Sequence, residues 1–300
     1  MPYHTMKNIL VPTDFSDNAA NALDYALGLA QHTQGRIILF HNSDIPLAYG
    51  GTNLFPGGDL ALGADTLVPG TALANPELEK IYKEKLELLA DRVRRQTAGT
   101  LPILTRFELG SLTDNLNDII RQEKADLVVM GTQGATTFLD RLVGTTTASV
   151  LKETHQAVLA IPANARFKIP LRIAFATDLE SEDQVFLPQV LSFARPFGAA
   201  IALVHINREE QEDEDGQEQR LADLRRQFPE QPLPLVTLEA NKVATGLETF
   251  VREYQADLIA VGLHERSFLA SLFHSSLTEE LAYHTTVPLL ALPERPYSFA

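Results

Sequence analysis

The chain of 300 residues repeats itself. Asn8–Thr13 (NILVPT), followed by Asp14, returns as Arg172–Thr177 (RIAFAT), followed by Asp178, and His41 returns as His205, all at a shift of 164 residues. Further on, Ala125–Gly131 (ADLVVMG) matches Ala256–Gly262 (ADLIAVG) and Gln156–Pro162 (QAVLAIP) matches Thr286–Leu292 (TVPLLAL), at shifts of 131 and 130. A copied unit brings its own core-forming pattern each time, so the repetition restricts the chain to two similar domains, the number that its length also suggests at about 100–200 residues per domain. The change of shift by 33 residues locates one insertion in 42–76, a segment too rich in glycine and proline to be a regular element. A long loop inside a compact domain is usually either functional or disordered, and both readings stand.

Within each unit strands alternate with helices. After NILVPT come apolar residues at helical spacing (Ala19, Ala22, Leu23, Ala26, Leu27, Ala30), then Gly35 as the expected stop, then the strand Arg36–Phe40 (RIILF). In the second copy a helix through Phe186, Val190 and Phe193 is followed by Gly198 and the strand Ala200–Val204. This pattern predicts an α/β fold of two open parallel-sheet domains, 1–163 and 170–300, with the boundary at 164–170. The last strands, Ala157–Ile161 and Val287–Leu292, are almost wholly apolar where an exposed edge would carry polar residues. They are expected to pair with each other, making a pseudo-twofold pair of domains. On the charged helix Glu77–Gln96, the face of Ile81, Leu86, Leu89 and Val93 reads as core packing.

Composition narrows the functions. There is no cysteine, so disulfides, thiolate metal sites and cysteine nucleophiles are excluded, in keeping with a cytoplasmic location. With 25 basic and 39 acidic residues the net charge is −14, which is wrong for nucleic acid or an anionic membrane as general partners. Met1–Lys7 lacks the pattern of a secretory leader, and no apolar run approaches the roughly 18 residues of a membrane span. The run Glu209–Glu218 (EEQEDEDGQE) takes the place of the insertion in the second half and reads as a solvated acidic loop.

Ligands of open α/β sheets sit beyond the carboxyl ends of the strands, where Asp14, His41 and Gly131 all fall. Gly131, Thr132, Gln133 and Gly134 are followed by Gly144, Thr145 and Thr146 at the opening of a helix expected over Thr147–Glu153. Glycines let the backbone approach closely, and threonine hydroxyls with free N–H groups at a helix start can hold phosphate oxygens. The bland alternative is that the glycines only make turns and Asp14 only caps a helix.

The stretch GTQGATTFLDRLVGTT (Gly131–Thr146) is similar to the ATP-binding motif of the universal stress proteins: Gly, two residues, Gly, nine residues, Gly, then Ser or Thr. Val11-Pro12-Thr13-Asp14 resembles that family's opening strand, and the likeness covers nearly the whole chain outside the insertion. The resemblance implies a Rossmann-like, adenine nucleotide alpha hydrolase-like fold and an ATP site in the first half, with Mg or Mn bound through the phosphates. Asp14, following Pro12 and Thr13, would contact adenosine. Phe40 and His41 would border the adenine through their backbone, and Met130 and Gly131 would line the pocket. Gly134, Gly144, Thr145 and Thr146 would hold the phosphates, with Gln133 inside the motif. Arg141 either touches a phosphate or is an exposed salt-bridging side chain. Beyond the internal pair, the resemblance leaves room for a homodimer.

The second half departs from the motif: Glu265 stands at the place of Gly134, Ser275 at that of Gly144 and Ser276 at that of Thr145. A carboxylate on the phosphate path predicts that this half binds no ATP. Asp178, His205 and His264 gather at three strand ends and either bind a divalent metal or are ordinary polar residues; His274 and His284 have a weaker case. Three functions follow: a nucleotide-binding stress or regulatory protein, a slow ATPase with 42–76 as a lid, or an interaction module recruiting a partner through its acidic loop. The motif contains no P-loop and no lysine, so no general base or strong electrophile is evident for hydrolysis.

Overall fold

The computed structural model describes residues 6–43, 76–132, 145–179, 183–207, 214–241, 243–263 and 287–297. The first unit runs β1 (Asn8–Pro12), α1 (Asp17–Thr33), β2 (Arg36–Ser43), α2 (Pro76–Gln96), β3 (Ile103–Leu109), α3 (Leu112–Glu123), β4 (Leu127–Gly131), α4 (Thr145–Glu153) and β5 (Val158–Ile161). The second runs β6 (Arg172–Ala176), α5 (Asp183–Ala194), a 3-10 turn at Arg195–Phe197, β7 (Ala200–Asn207), α6 (Glu214–Gln227), β8 (Leu235–Glu239), α7 (Val243–Tyr254), β9 (Leu258–Leu263) and β10 (Leu289–Pro293).

All ten strands join one sheet in the order β3-β2-β1-β4-β5-β10-β9-β6-β7-β8, which meets equivalent strands in the same order from either end. Pairing inside each unit is parallel, whereas β5 and β10 pair antiparallel, with Leu290 opposite Leu159 and Ala291 opposite Val158. Each of these two apolar edges thereby satisfies the unpaired N–H and C=O groups of the other. Side chains alternate along every strand between two cores. Ile9, Val11, Ile37 and Leu39 pack under α1, α2 and α5 in one, while Leu10, Ile38, Phe40 and Val128 pack under α3, α4 and α7 in the other, and both cores run across the two units.

Local details correct several expectations. Helix α1 begins at the Ser16 cap, whose hydroxyl accepts from Ala19 N, and ends at Gln34 in the left-handed conformation, not at Gly35. Gly35 is needed for space instead, because a Cβ there would lie 2.7 Å from the Lys7 carbonyl oxygen. On α2 Leu86 and Val93 are buried, but Ile81 is 46% exposed and takes no part in the core. Asn42 and Ser43, read as the start of the insertion, belong to β2 because they pair with Glu108 and Leu109 of β3; residues 44–75 lie outside the described residues. The end of the acidic run, Glu214–Glu218, opens α6 and is no loop.

The repeated Ala-Asp-Leu acquires a reason. Asp126 Oδ2 accepts from the backbone N–H groups of Lys7 and Asn8, both at 2.8 Å, and Asp257 Oδ2 does the same for Leu171 and Arg172, both at 2.9 Å. Each carboxylate thus ties the start of β4 or β9 to the start of the neighbouring first strand. Burial pushes the Asp257 carboxyl up, but Lys168, whose Nζ lies 2.7 Å from Oδ1, and the two N–H donors outweigh it and hold its pKa below the ordinary 3.8. A carboxyl with a depressed folded pKa contributes stability that is complete above its unfolded pKa and is lost as pH falls through the folded one. The gap in urea midpoint between the wild type and Asp257→Asn is therefore expected to be full at neutral pH and to close in acid, as pH falls through the depressed folded value. A gap that persists in acid would show that the charge is not what Asp257 contributes.

Candidate functional site

The chain leaves β1 for β2 on one side and later returns to β4 on the other, so the loops at the carboxyl ends of β1 and β4 part and leave a crevice. A cavity of about 300 Å³ occupies it, and its wall includes Pro12, Thr13, Asp14, Phe40, Met130, Gly131 and Thr146, all singled out by sequence. Ser16, Asn18, Ala19, Asn42, Leu112 and Thr147 complete the lining. Of these, Ala19 was legible only as part of a helical periodicity, and Ser16 carried the signal of a capping residue just before it. Asn42 fell in the segment read as insertion, and Thr147 was assigned only to the start of a helix. Asn18, Ala19 and Leu112 reach the cavity through the packing of α1 and α3.

A tight turn presents Asp14. Thr13 N donates to Phe40 O at 2.7 Å, the Thr13 hydroxyl accepts from Phe15 N at 3.0 Å, and Asp14 Oδ1 accepts from Ser16 N at 2.9 Å. Phe15 takes φ +66°, a left-handed value unusual outside glycine. The second unit copies the device: Thr177 accepts from Leu179 N at 2.8 Å, and Leu179 has φ +54°. Asp14 itself is exposed. Partial burial raises its pKa, but the bonds from Ser16 and the backbone, with the field of His41, bring the net value below 3.8, so the carboxylate is ionised at neutral pH.

His41 is not part of the cavity wall. Successive strand residues face opposite sides, so Phe40 and Asn42 turn to the cavity while the His41 ring lies on the α1–α2 side, 4.6 Å from Phe15 and 4.7 Å from Tyr82 between centroids. Its Nδ1 lies 2.7 Å from the Thr13 carbonyl oxygen, which makes it a brace for the Asp14 turn. Burial lowers its pKa; the Thr13 carbonyl and Asp14 raise it and Lys85 lowers it, leaving the value below 6.5 and the ring neutral, with Nδ1–H donating to Thr13.

Gly131 is a glycine because α1 comes close: a Cβ would stand 2.5 Å from the Asn18 carbonyl oxygen. Thr132 is fully buried and donates from N to Ile161 O at 3.1 Å, and the Thr147 hydroxyl donates to Gly131 O at 3.1 Å, fixing the start of α4 against the end of β4. Helix α4 begins two residues earlier than expected, at Thr145, so Thr145 and Thr146 stand in its first turn. Gln133, Gly134, Arg141 and Gly144 lie outside the described residues.

The second unit's corresponding region is built differently. Asp178 is exposed, while His205 is buried with Nδ1 3.0 Å from Thr177 O, the same bracing bond that His41 makes. Ile206 stands in the place of Asn42 and Gly246 in that of Asn115, and the isoleucine packs so closely that a Cβ on Gly246 would lie 2.5 Å from its Cδ1. His264, Glu265, His274, Ser275, Ser276 and His284 lie outside the described residues. Among the described residues no three His, Asp or Glu side chains gather as metal ligands.

Known proteins resemble the chain throughout. The family model described as "Universal stress protein family" matches residues 5–162 and again 171–293. Universal stress protein Slr1230 of Synechocystis is 23% identical over 293 residues, which is 95% of this chain and 99% of the relative. Universal stress protein Rv1636 of Mycobacterium tuberculosis is 31% identical over 162 residues, 52% of this chain and 95% of its own. Among solved structures, a universal stress protein from Archaeoglobus fulgidus superposes with a TM-score of 0.65 at 16% identity, covering 95% of this chain and 96% of that one.

Proposed function

The chain belongs to the universal stress protein family, as two units in tandem, and from that premise we propose that its first domain, 1–163, binds one ATP with Mg or Mn while the second, 170–300, is a degenerate partner without nucleotide. The observation that carries the proposal is the cavity over β1, whose lining takes in an ionised carboxylate, Asp14, and two threonines from the first turn of α4, Thr146 and Thr147. A carboxylate suits ribose hydroxyls, and N–H groups at a helix start suit phosphate oxygens. Gly134 and Gly144 lead into that turn, and Mg or Mn would bind through the phosphates. Pro12, Phe40 and Met130 supply apolar wall for the base.

The protein acts as a regulatory or stress-protective nucleotide binder in the cytoplasm; among the described residues no helix is long and apolar enough to cross a membrane. Heat denaturation of the purified protein followed by chromatography is expected to release about one adenine nucleotide per chain, and calorimetric titration of the stripped protein to show one site. Two equal sites, or none, would overturn the reading. Turnover is expected far below the roughly 10 s⁻¹ of ordinary enzymes, because the motif offers no lysine and no general base beside the γ-phosphate. A rate of several per second that vanishes in Asp14→Ala would make the protein an ATPase.

A further inference from the structure

The cavity wall also carries a feature that the phosphate motif does not include. Asn42, the residue before the last of β2, lines the cavity, as does Leu112 at the start of α3. Its Nδ2 donates to Gly110 O at 2.7 Å, and its Oδ1 accepts from Asn115 Nδ2 at 2.8 Å; Asn115 Nδ2 also donates to Leu109 O at 3.1 Å. A carboxamide has two hydrogens and two oxygen lone pairs to use. Among the described residues these bonds use one of each on Asn42, leaving one donor and one acceptor. The orientation is fixed, because a flipped amide would set its oxygen against the Gly110 oxygen and its NH₂ against that of Asn115.

The repeat shows that the pair is not required by the fold. In the second unit the same two positions are Ile206 and Gly246, with the isoleucine lying over the glycine and no polar side chain at either position. The unit that lacks two of the three motif glycines also lacks the asparagine pair.

We propose that Asn42, held in place by Asn115, is the specificity-determining residue of the nucleotide site and reads the 6-amino edge of the purine base. The inference rests on the nucleotide reading given above. Adenine offers a hydrogen-bond donor, its 6-amino group, next to an acceptor, N1 or N7, and so matches one fixed donor and acceptor. Hypoxanthine carries an oxygen at position 6, which meets the fixed amide with the wrong polarity. Asn42 is the reading group; Asn115 is a positioning residue.

The test compares ATP and ITP by calorimetric titration on the full chain. The wild type is expected to prefer ATP by roughly tenfold to a hundredfold, the worth of a good two-point contact to a base edge. Asn42→Ala and the milder Asn42→Ser should reduce that ratio to about twofold or less, chiefly by weakening ATP, and Asn115→Ser should reduce it part of the way. The wild-type titration with the two ligands needs no variant, so it decides even if a substitution harms folding. A wild type that binds both nucleotides equally, or an Asn42→Ser protein that keeps the wild-type ratio, would overturn the role of Asn42 and leave the nucleotide site standing. Failure of the wild type to bind either nucleotide would overturn both.

Discussion

Leu159→Lys, or equally Leu290→Lys, is expected to destabilise the protein by about 3–5 kcal/mol, the cost of leaving a charge buried without a partner. Leu159 and Leu290 face each other across the antiparallel β5–β10 pair, and both are completely buried. Neither ammonium group could reach water without displacing the side chains packed over that face of the sheet. Because this pair joins two five-stranded halves of one sheet, loss of protection should reach both halves together. Urea unfolding followed by circular dichroism gives the magnitude, and hydrogen exchange resolved by half shows whether the loss is shared. Exchange that rises only in the half carrying the substitution would mean that the halves are stable separately and that the seam contributes little.

Gly134→Glu copies into the first half the residue that the second half carries at Glu265. It is expected to weaken ATP binding about a thousandfold while leaving the unfolding midpoint nearly unchanged. The magnitude follows from charge: a carboxylate about 4 Å from a phosphate charge costs about 4 kcal/mol at an intermediate dielectric constant, and every 1.4 kcal/mol is about tenfold. Unchanged affinity in this variant would put the phosphates elsewhere and would remove the reason for regarding the second half as empty.

Some of the site was legible because its residues obey local rules. Asp14 follows a short apolar strand and precedes a capped helix, and Gly131 ends a run of buried strand residues, so their places at strand ends could be read from periodicity alone. Placing His41 at a strand end failed for a reason equally physical. Strand residues alternate faces, and the strand that reads as ending at Phe40 continues to Ser43 because β3 pairs with it. Once His41 is inside a strand, its ring must face away from the side that Phe40 serves. Asn42 was hidden by the same error, since a residue assigned to a loop has no face.

Repeated local patterns are enough to divide the chain into two α/β units, and the absence of cysteine is enough to rule out thiol chemistry. By itself the sequence also determined the apolar last strands that must find a partner, because these depend on patterns local to each segment. Which residues share a cavity was decided by tertiary structure alone. Asn42 meets Asn115 across 73 residues, and Asp126 reaches Lys7 and Asn8 across 119 and 118, contacts made only when parallel strands are brought side by side by helices packed across them. The same packing decides what a repeated position means: Asn42 and Asn115 meet through a hydrogen bond, and Ile206 and Gly246 meet through an apolar contact, although the strands beneath follow the same order. Periodicity assigns a residue to an element, but only the packing of neighbouring elements determines which side chains meet.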